Sequence, residues 1–311
     1  MLFPQPKISD SDCETISKMD IEILSNGIVL FKNVIDIDQN ELLPYLDANL
    51  TPSNCGLEWK EENGEQWAED WEGNRHPIQK LLEQPFRLGH TSDKMPVQED
   101  TPQNIKDFFY KCEEIVYQGL MRYIHLYPMI LNTIWWKNRG HVLRYTEGCE
   151  LQDHNDNDTN FRVIDGLRYP TDRPQAIYQV LANIIYLNDD FTGGEMFFPY
   201  ANIDYQPSAG DMLYFPQNYV GTHGVRPVKS GKRYVYLSNF GQGDSAVVQI
   251  EEPNSDTSPW VTPVYLPWVF QDYERYCKSP WSEPFKSGML NPVQQERSLE
   301  GNPTGVLNPY E

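Results

Sequence analysis

Seven short runs of apolar and β-branched residues follow one another between residues 130 and 240. They cover 130–136, 141–146, 177–187, 195–199, 211–215, 219–228 and 233–240, and glycine-containing turn signals separate several of them. Short strands that recur between turn signals are typical of an antiparallel sandwich or barrel. The sequence therefore predicts a β-rich core, which we place at residues 129–245.

The residues before this core predict strands and helices that support it. The run 21–31 is predicted to be a strand, broken by Asn26-Gly27, and a helix is expected at about 38–50. A second helix is predicted over 101–127, because its apolar residues recur at intervals of three and four. We expect residues 1–128 to buttress one sheet of the core, interrupted by an irregular acidic insertion near 55–100, so the fold class is mostly β with buttressing helices (α+β).

Residues 246–311 differ in composition from the core and are predicted to form a loop-rich C-terminal extension. Nine prolines lie between residues 253 and 311, together with Trp260, Trp268 and Trp281. Large aromatic side chains are seldom left in solvent, so we expect this extension to pack on its own domain or on a partner.

Charge and cysteine usage exclude several functional classes. The formal net charge is -20, from 25 Lys+Arg against 45 Asp+Glu, and such a surface repels phosphate backbones, so we expect no nucleic-acid partner. No apolar run is long enough to cross a membrane, and the N-terminus lacks the pattern of a secretory signal. The five scattered cysteines, without a CxxC pair, predict reduced thiols and a cytoplasmic location.

A histidine and an aspartate two residues apart form the first candidate for chemistry. In a strand, residues i and i+2 point to the same face, so His154 and Asp156 are expected to project into one cavity. A third ligand is available from His223, in another predicted strand. Two histidines and one carboxylate form the facial triad of non-haem iron(II) oxygenases. Taken singly, each of these residues is more often an ordinary core or surface residue.

Two further residues fit the same cavity. Arg233 lies ten residues after His223, across a predicted hairpin, and an arginine inside a barrel needs an anionic partner. A dicarboxylic co-substrate would supply that partner through a bidentate contact, and the Tyr186 hydroxyl is placed to donate to the same carboxylate. Without the triad, a surface salt bridge for Arg233 and a core position for Tyr186 would be the simpler interpretations.

Three ordered blocks resemble the prolyl 4-hydroxylase-like branch of the 2-oxoglutarate oxygenases. The first is Tyr145-x2-Gly148-x5-His154-x-Asp156, and the second is Tyr186-Leu-Asn followed by Gly193-Gly194-Glu195-Met-Phe-Phe-Pro199. The third runs from Gly210-Asp211 through Phe215-Pro216 to His223-x3-Pro227-Val228-x2-Gly231-x-Arg233-Tyr234. The resemblance covers about residues 140–240, and three blocks in order with matching internal spacing are far more specific than any one of them.

The resemblance implies a double-stranded β-helix (jelly-roll, cupin-like) core and a dioxygenase that uses Fe(2+), 2-oxoglutarate and O2. It implies that His154, Asp156 and His223 bind iron and that Arg233 binds the distal carboxylate of 2-oxoglutarate. Tyr186 matches a position that assists Arg233, and Tyr145 matches one that lines the metal-proximal end of the co-substrate. Because the metal carboxylate is present, the expected reaction is hydroxylation, with a prolyl residue of a peptide as the family-weighted substrate and succinate and CO2 as the other products.

The chain departs from the family pattern at an insertion, about residues 157–175, and in the extension after residue 241. The insertion borders the expected substrate entrance, so the substrate stays open between a peptide or protein and a small metabolite that is oxidised or demethylated.

Two interpretations from other classes also stay open. One is a non-catalytic jelly-roll structural or binding protein, such as a virion component, which the acidic surface and the extension would suit. The other is a zinc hydrolase, which explains the triad but gives Arg233 and Tyr186 no role. Oligomeric state is not predicted.

Overall fold

The β-core is accompanied by strands and helices on both sides of it in the sequence. The computed structural model describes residues 7–49, 58–69, 75–77, 101–138, 140–157, 161–164, 166–170, 179–242 and 264–283. The helices of this part are α1 (Asp10–Lys18), α2 (Gln39–Asn49), α3 (Gln103–Leu126) and α4 (Val269–Lys278), with short 3-10 helices at Pro128–Asn132 and Tyr219–Gly221. None of these helices is long and apolar enough to cross a membrane.

The strands of the described residues are numbered in chain order. They are β1 (Ile21–Ser25), β2 (Ile28–Phe31), β3 (Glu58–Glu62), β4 (Glu65–Glu69), β5 (Arg75–Pro77), β6 (Trp136–Lys137), β7 (His141–Tyr145), β8 (Leu151–His154), β9 (Phe161–Ile164), β10 (Leu167–Pro170), β11 (Gln179–Tyr186), β12 (Thr192–Gly193), β13 (Met196–Phe198), β14 (Ile203–Tyr205), β15 (Met212–Pro216), β16 (His223–Val225), β17 (Val228–Ser230), β18 (Arg233–Gly241) and β19 (Val264–Tyr265).

Two antiparallel sheets form the core. The larger has the order β1-β2-β15-β11-β18-β6-β19, with β7 also paired to β18, and the smaller has the order β14-β13-β16-β8. Strands that are distant in sequence lie side by side in both sheets, as in a jelly roll. This arrangement confirms the predicted double-stranded β-helix.

Alternation along β11 shows why the larger sheet is covered on both faces. Leu181 and Ile185 belong to a core that also contains buried residues of α1, α3 and α4, whereas Ala182, Ile184 and Tyr186 belong to a core shared with the smaller sheet. Successive side chains of a strand point to opposite faces. One face of the larger sheet therefore packs on helices, as predicted, and the other encloses the space between the sheets.

Several sequence-based boundaries were wrong. Residues 219–228 do not form one strand but a 3-10 helix followed by β16 and β17, and run 130–136 contributes only the start of β6 after a 3-10 helix. At residue 221 a Cβ would lie 1.8 Å from the backbone oxygen of Pro216, so the chain there is held in a tight turn that apolar patterning does not reveal.

Part of the segment expected to be irregular forms a small sheet, β3-β4-β5. Asn63 and Gly64 join β3 to β4 and have φ values of 53° and 81°. An Asn-Gly pair with both φ angles positive is the usual turn of a two-residue hairpin. The Asn-Gly pair was therefore a sequence signal for this hairpin. The many acidic residues around it made the strand pattern of the flanking residues hard to recognise.

The chain also contains elements that the sequence analysis did not predict. Helix α1 was not expected from the sequence. Its start is stabilised as in a capping box, since the Ser9 backbone N–H donates to Asp12 Oδ2 over 2.6 Å. The C-terminal extension contributes β19 and α4, and the latter packs against α1 and α3. Trp260 and Cys55 lie outside the described residues, while Cys13, Cys112, Cys149 and Cys277 are free thiols, as expected.

Candidate metal centre

The three predicted metal ligands meet at one end of the smaller sheet. His154 is the last residue of β8 and His223 the first of β16, and the two are paired across these strands with ring centroids 4.4 Å apart. Asp156 Oδ1 lies 3.2 Å from His154 Nε2, and Asp156 Oδ2 lies 4.0 Å from His223 Nε2. One ligand atom from each residue therefore falls within 4.8 Å of the others.

The local structure of this group differs from the expectation. The two residues of the His-x-Asp pair do not lie in one strand, because β8 ends at His154 and Asp156 lies in the turn that follows. The turn still brings the Asp156 carboxylate next to the His154 imidazole. The two side chains therefore converge as expected, but not through the i, i+2 geometry of a strand.

Backbone carbonyls fix the orientation of both imidazoles. The Nδ1 of His154 lies 2.9 Å from the Gln152 oxygen, and the Nδ1 of His223 lies 2.9 Å from the Gly221 oxygen. A carbonyl oxygen can only accept, so in the neutral ring Nδ1 carries the proton and Nε2 keeps its lone pair. Both Nε2 atoms then face the side where Asp156 lies, and a carbonyl that holds the other ring nitrogen is the usual support of a metal-binding histidine.

The charge of Asp156 is stabilised by its neighbours. Burial alone raises the pKa of the Asp156 carboxyl, but in the absence of a metal the positive charge of the His223 and His154 rings in their protonated form, with hydrogen bonds from His154 and Gln217, outweighs it and holds this pKa well below its usual range. The group therefore remains a carboxylate at neutral pH, as a metal ligand must.

A buried cation lies in the space between the two sheets. Arg233 begins β18, pairs with Tyr145 of β7 and is 1% exposed. Its guanidinium carbon lies 5.0 Å from the ring centroid of Tyr145 and 5.3 Å from that of Tyr186. The Nε and Nη2 of Arg233 and the hydroxyl of Tyr186 have no hydrogen-bond partner among the described residues.

These donors fit an anion with two oxygens. Burial raises the pKa of Tyr186 to about 12, against the opposing charge of Arg233, so its hydroxyl keeps its proton and can donate. A buried guanidinium with unpaired nitrogens is unfavourable unless a carboxylate or phosphate accepts from it. Gly194 leaves room beside this group, since a Cβ there would lie 3.1 Å from Arg233 Cδ, and its φ of +69° also favours glycine.

Aromatic residues connect the cation to the metal ligands. Phe215 of β15 and Phe198 of β13 lie 4.6 Å and 6.0 Å from His223 between ring centroids. Both belong to the core that also contains Tyr145 and Tyr186. The structure thus brings the six residues singled out in the sequence to one inter-sheet space, and it adds Gln217, which the sequence analysis missed.

Comparison with known proteins agrees with this geometry. Residues 140–241 match the family model described as the 2OG-Fe(II) oxygenase superfamily. A search of curated proteins found no match to the chain.

Several solved structures are similar to this chain at low sequence identity. The viral collagen prolyl hydroxylase of Paramecium Bursaria Chlorella virus-1 in complex with 2OG is 20% identical, with a TM-score of 0.31 over 42% of this chain and 74% of its own. A Trichoplax adhaerens prolyl hydroxylase in complex with a hypoxia inducible factor peptide fragment is 15% identical, with a TM-score of 0.49 over 78% and 96%. A Pseudomonas putida prolyl-4-hydroxylase is 17% identical, with a TM-score of 0.31 over 47% and 69%.

The family match spans every one of the ligand and anion-binding candidates. Residues 140–241, about a third of the chain, are therefore similar to the 2OG-Fe(II) oxygenase superfamily, whose members use iron(II), 2-oxoglutarate and dioxygen.

Proposed function

We propose that this protein is a 2-oxoglutarate-dependent dioxygenase that hydroxylates a prolyl residue of a peptide or protein, with release of succinate and carbon dioxide. The observation that carries the proposal is the presence of a His-Asp-His group together with a buried arginine between the sheets whose Nε and Nη2 have no hydrogen-bond partner among the described residues. A metal site alone would suit many proteins, whereas the added cation calls for an anionic co-substrate.

In this proposal His154, Asp156 and His223 hold the metal. Their three ligand atoms lie within 4.8 Å of one another, and a facial triad of two histidines and one carboxylate leaves coordination positions for other ligands. Iron(II) bound there would supply the oxidation of a C–H bond by dioxygen at the expense of 2-oxoglutarate. The protein supplies the ligands and an apolar wall on one side of them: His223 is 4% exposed and packs against Phe215, whereas the side chains of His154 and Asp156 are 24% and 22% exposed.

Arg233 is assigned the distal carboxylate of 2-oxoglutarate, with help from Tyr186. Two guanidinium N–H groups of one arginine match the two oxygens of a carboxylate, and the protonated Tyr186 hydroxyl adds a third donor. Tyr145, buried beside the guanidinium, is assigned to the co-substrate wall. No side chain is assigned as a general acid or base, because the metal centre needs none for this reaction.

The prolyl substrate rests on the three sequence blocks that resemble prolyl 4-hydroxylases. The acidic chain, with a net charge of -20, disfavours a nucleic-acid substrate, and the free thiols support a reducing, cytoplasmic location. A viral origin with a place in the virion remains compatible with this proposal.

An anaerobic titration of the apoprotein with iron(II) and 2-oxoglutarate tests the metal and co-substrate together. We expect a visible metal-to-ligand charge-transfer band in the wild type and none in Asp156→Ala. The control is Asp153→Ala, because Asp153 is an exposed carboxylate three residues away from Asp156 in the same segment. Absence of the band in the wild type, or an equal loss in both variants, would contradict the assignment.

The substrate requires its own measurement. Incubation with proline-containing peptides, followed by mass spectrometry, should show a gain of one oxygen on a prolyl residue, and the gain should require both iron(II) and 2-oxoglutarate. Oxygen incorporated into a free metabolite and into no peptide would refute the prolyl assignment while leaving the oxygenase intact. Turnover that survives replacement of iron by zinc would instead indicate a hydrolase.

A further inference from the structure

Asp156 lies beyond the strand that carries its partner ligand. Strand β8 ends at His154, so no ladder hydrogen bond of that sheet holds residue 156 in place. A carboxylate in a turn has several rotamers of similar energy, and a metal ligand must be held in one. Another group must therefore orient the Asp156 side chain.

Gln217 contacts this turn twice. Its Nε2 donates to Asp156 Oδ2 over 3.0 Å, and its backbone oxygen accepts from the Asn157 N–H over 2.9 Å. Gln217 follows β15 directly, is fully buried, and its own N–H donates to the Val180 oxygen over 3.2 Å. The larger sheet thus holds the turn that carries the metal carboxylate of the smaller sheet.

The orientation of the Gln217 amide is determined by its surroundings. Besides Asp156, its Nε2 faces Asn239 Oδ1 at 2.8 Å and Gln179 Oε1 at 3.3 Å, whereas its Oε1 has no partner among the described residues. Three acceptors converge on one nitrogen, and an amide turned by 180° would place its oxygen against a carboxylate. The backbone of Asn239 is held by its N–H, which donates to Asn138 Oδ1 over 2.7 Å.

We infer that Gln217 is a positioning residue that fixes the Asp156 carboxylate for metal binding. Its hydrogen bond occupies Oδ2 and leaves Oδ1, the oxygen 3.2 Å from His154 Nε2, on the side of the metal ligands. This inference rests on the proposed metal site and goes further, because it assigns a residue of the larger sheet to the support of that site. Outer partners of this kind typically change metal affinity by about 10- to 100-fold when they are removed.

The test compares two glutamine-to-methionine substitutions, because methionine keeps the length of glutamine and removes its hydrogen bonds. Gln217→Met removes the contact to Asp156. The matched control is Gln118→Met on α3, because Gln118 is also buried (3% exposed) and donates its amide to carboxylates, Asp12 over 3.0 Å and Glu114 over 3.2 Å, away from the metal centre. Thermal unfolding of both apoproteins measures any general loss of packing.

Iron(II) affinity is measured anaerobically by competition with a chromophoric chelator, and cobalt(II) is used as a spectroscopic probe of the ligands. We expect the iron dissociation constant of Gln217→Met to rise by roughly 10- to 100-fold and its cobalt(II) ligand-field bands to shift. Gln118→Met should keep the wild-type affinity and bands even if its unfolding temperature falls.

Unchanged iron affinity and cobalt(II) bands in Gln217→Met would overturn the inference, as would an equal loss of affinity in both variants. If the wild type itself does not bind iron(II), the proposed function fails first. A wild type that binds iron while Gln217→Met binds it equally well refutes the positioning role alone.

Discussion

Replacing Arg233 by methionine should remove 2-oxoglutarate binding and spare the metal. Methionine fills much of the space between Tyr145 and Tyr186 but carries no donor. The two unpartnered guanidinium nitrogens, Nε and Nη2, are the ones available to a carboxylate. Hydrogen bonds to a charged group contribute about 1.5–3 kcal/mol each, so two of them are worth about 3–6 kcal/mol. The dissociation constant of 2-oxoglutarate should therefore rise by about 100- to 10,000-fold.

Thermal unfolding of the manganese(II)-loaded protein measures this effect without turnover. At a ligand concentration of about 100 times the wild-type dissociation constant, binding stabilises the fold by about 2.7 kcal/mol. At about 2.1 cal/mol/K of unfolding entropy per residue, 311 residues give a shift of about 1.5 °C per kcal/mol, so the unfolding temperature should rise by about 4 °C. In Arg233→Met the same concentration is at most about equal to the weakened constant, so the rise should be about 0.6 °C or less.

The control for this experiment is Arg226→Met. Arg226 also stacks on an aromatic ring, 3.8 Å from the centroid of Phe197, but it is half exposed and pairs with Asp204 over 2.9 Å. Its replacement should leave the ligand-induced rise intact. A full rise in Arg233→Met would refute the role of Arg233 as the anion-binding residue, and an equal loss of manganese(II) affinity would assign the defect to the metal centre instead.

Two stability measurements by urea unfolding test other parts of the structure. Gly221→Ala would place a Cβ 1.8 Å from the Pro216 oxygen, so we expect a loss of about 1–3 kcal/mol and weaker iron binding, because His223 Nδ1 bonds to the Gly221 oxygen. Unchanged stability would refute the close approach. Lys137→Met should cost about 3–5 kcal/mol, because the buried Lys137 Nζ lies 2.6 Å from Glu113 Oε2. Adding Glu113→Gln should recover most of that loss; no recovery would mean that the pair is not the cause.

The larger sheet was predictable because its strands carry a local signal. Strand β11, for example, is a continuous apolar run, and a strand covered by helices on one face and by a second sheet on the other requires such a run. The predicted runs 141–146, 177–187, 211–215 and 233–240 each agree with a strand to within two residues at either end. The smaller sheet was less predictable, because its strands are only three or four residues long; the run 195–199 matches β13, whereas no run was predicted at β8 or β14.

The candidate metal ligands were predictable from their spacing in the sequence, but the residue that orients Asp156 was not. His154, Asp156 and His223 could be identified because two of them are close in sequence and the family blocks supply the third. Gln217 lies 61 residues from Asp156 and has no distinctive motif. A hydrogen bond of that sequence separation depends on how the two sheets pack, which no local pattern encodes.

The division of the site between two sheets has a physical consequence. The smaller sheet and its turn carry the metal ligands, whereas the larger sheet carries Arg233, Tyr186 and Gln217. In the proposed function, the relative position of the metal and the co-substrate would therefore depend on the packing between the sheets, in which Phe215 of the larger sheet lies 4.6 Å from the ring of His223. Closely packed interiors transmit small displacements, since a void of even one methylene group is felt by its neighbours. Iron affinity should therefore respond to the core between the sheets as well as to the ligands themselves.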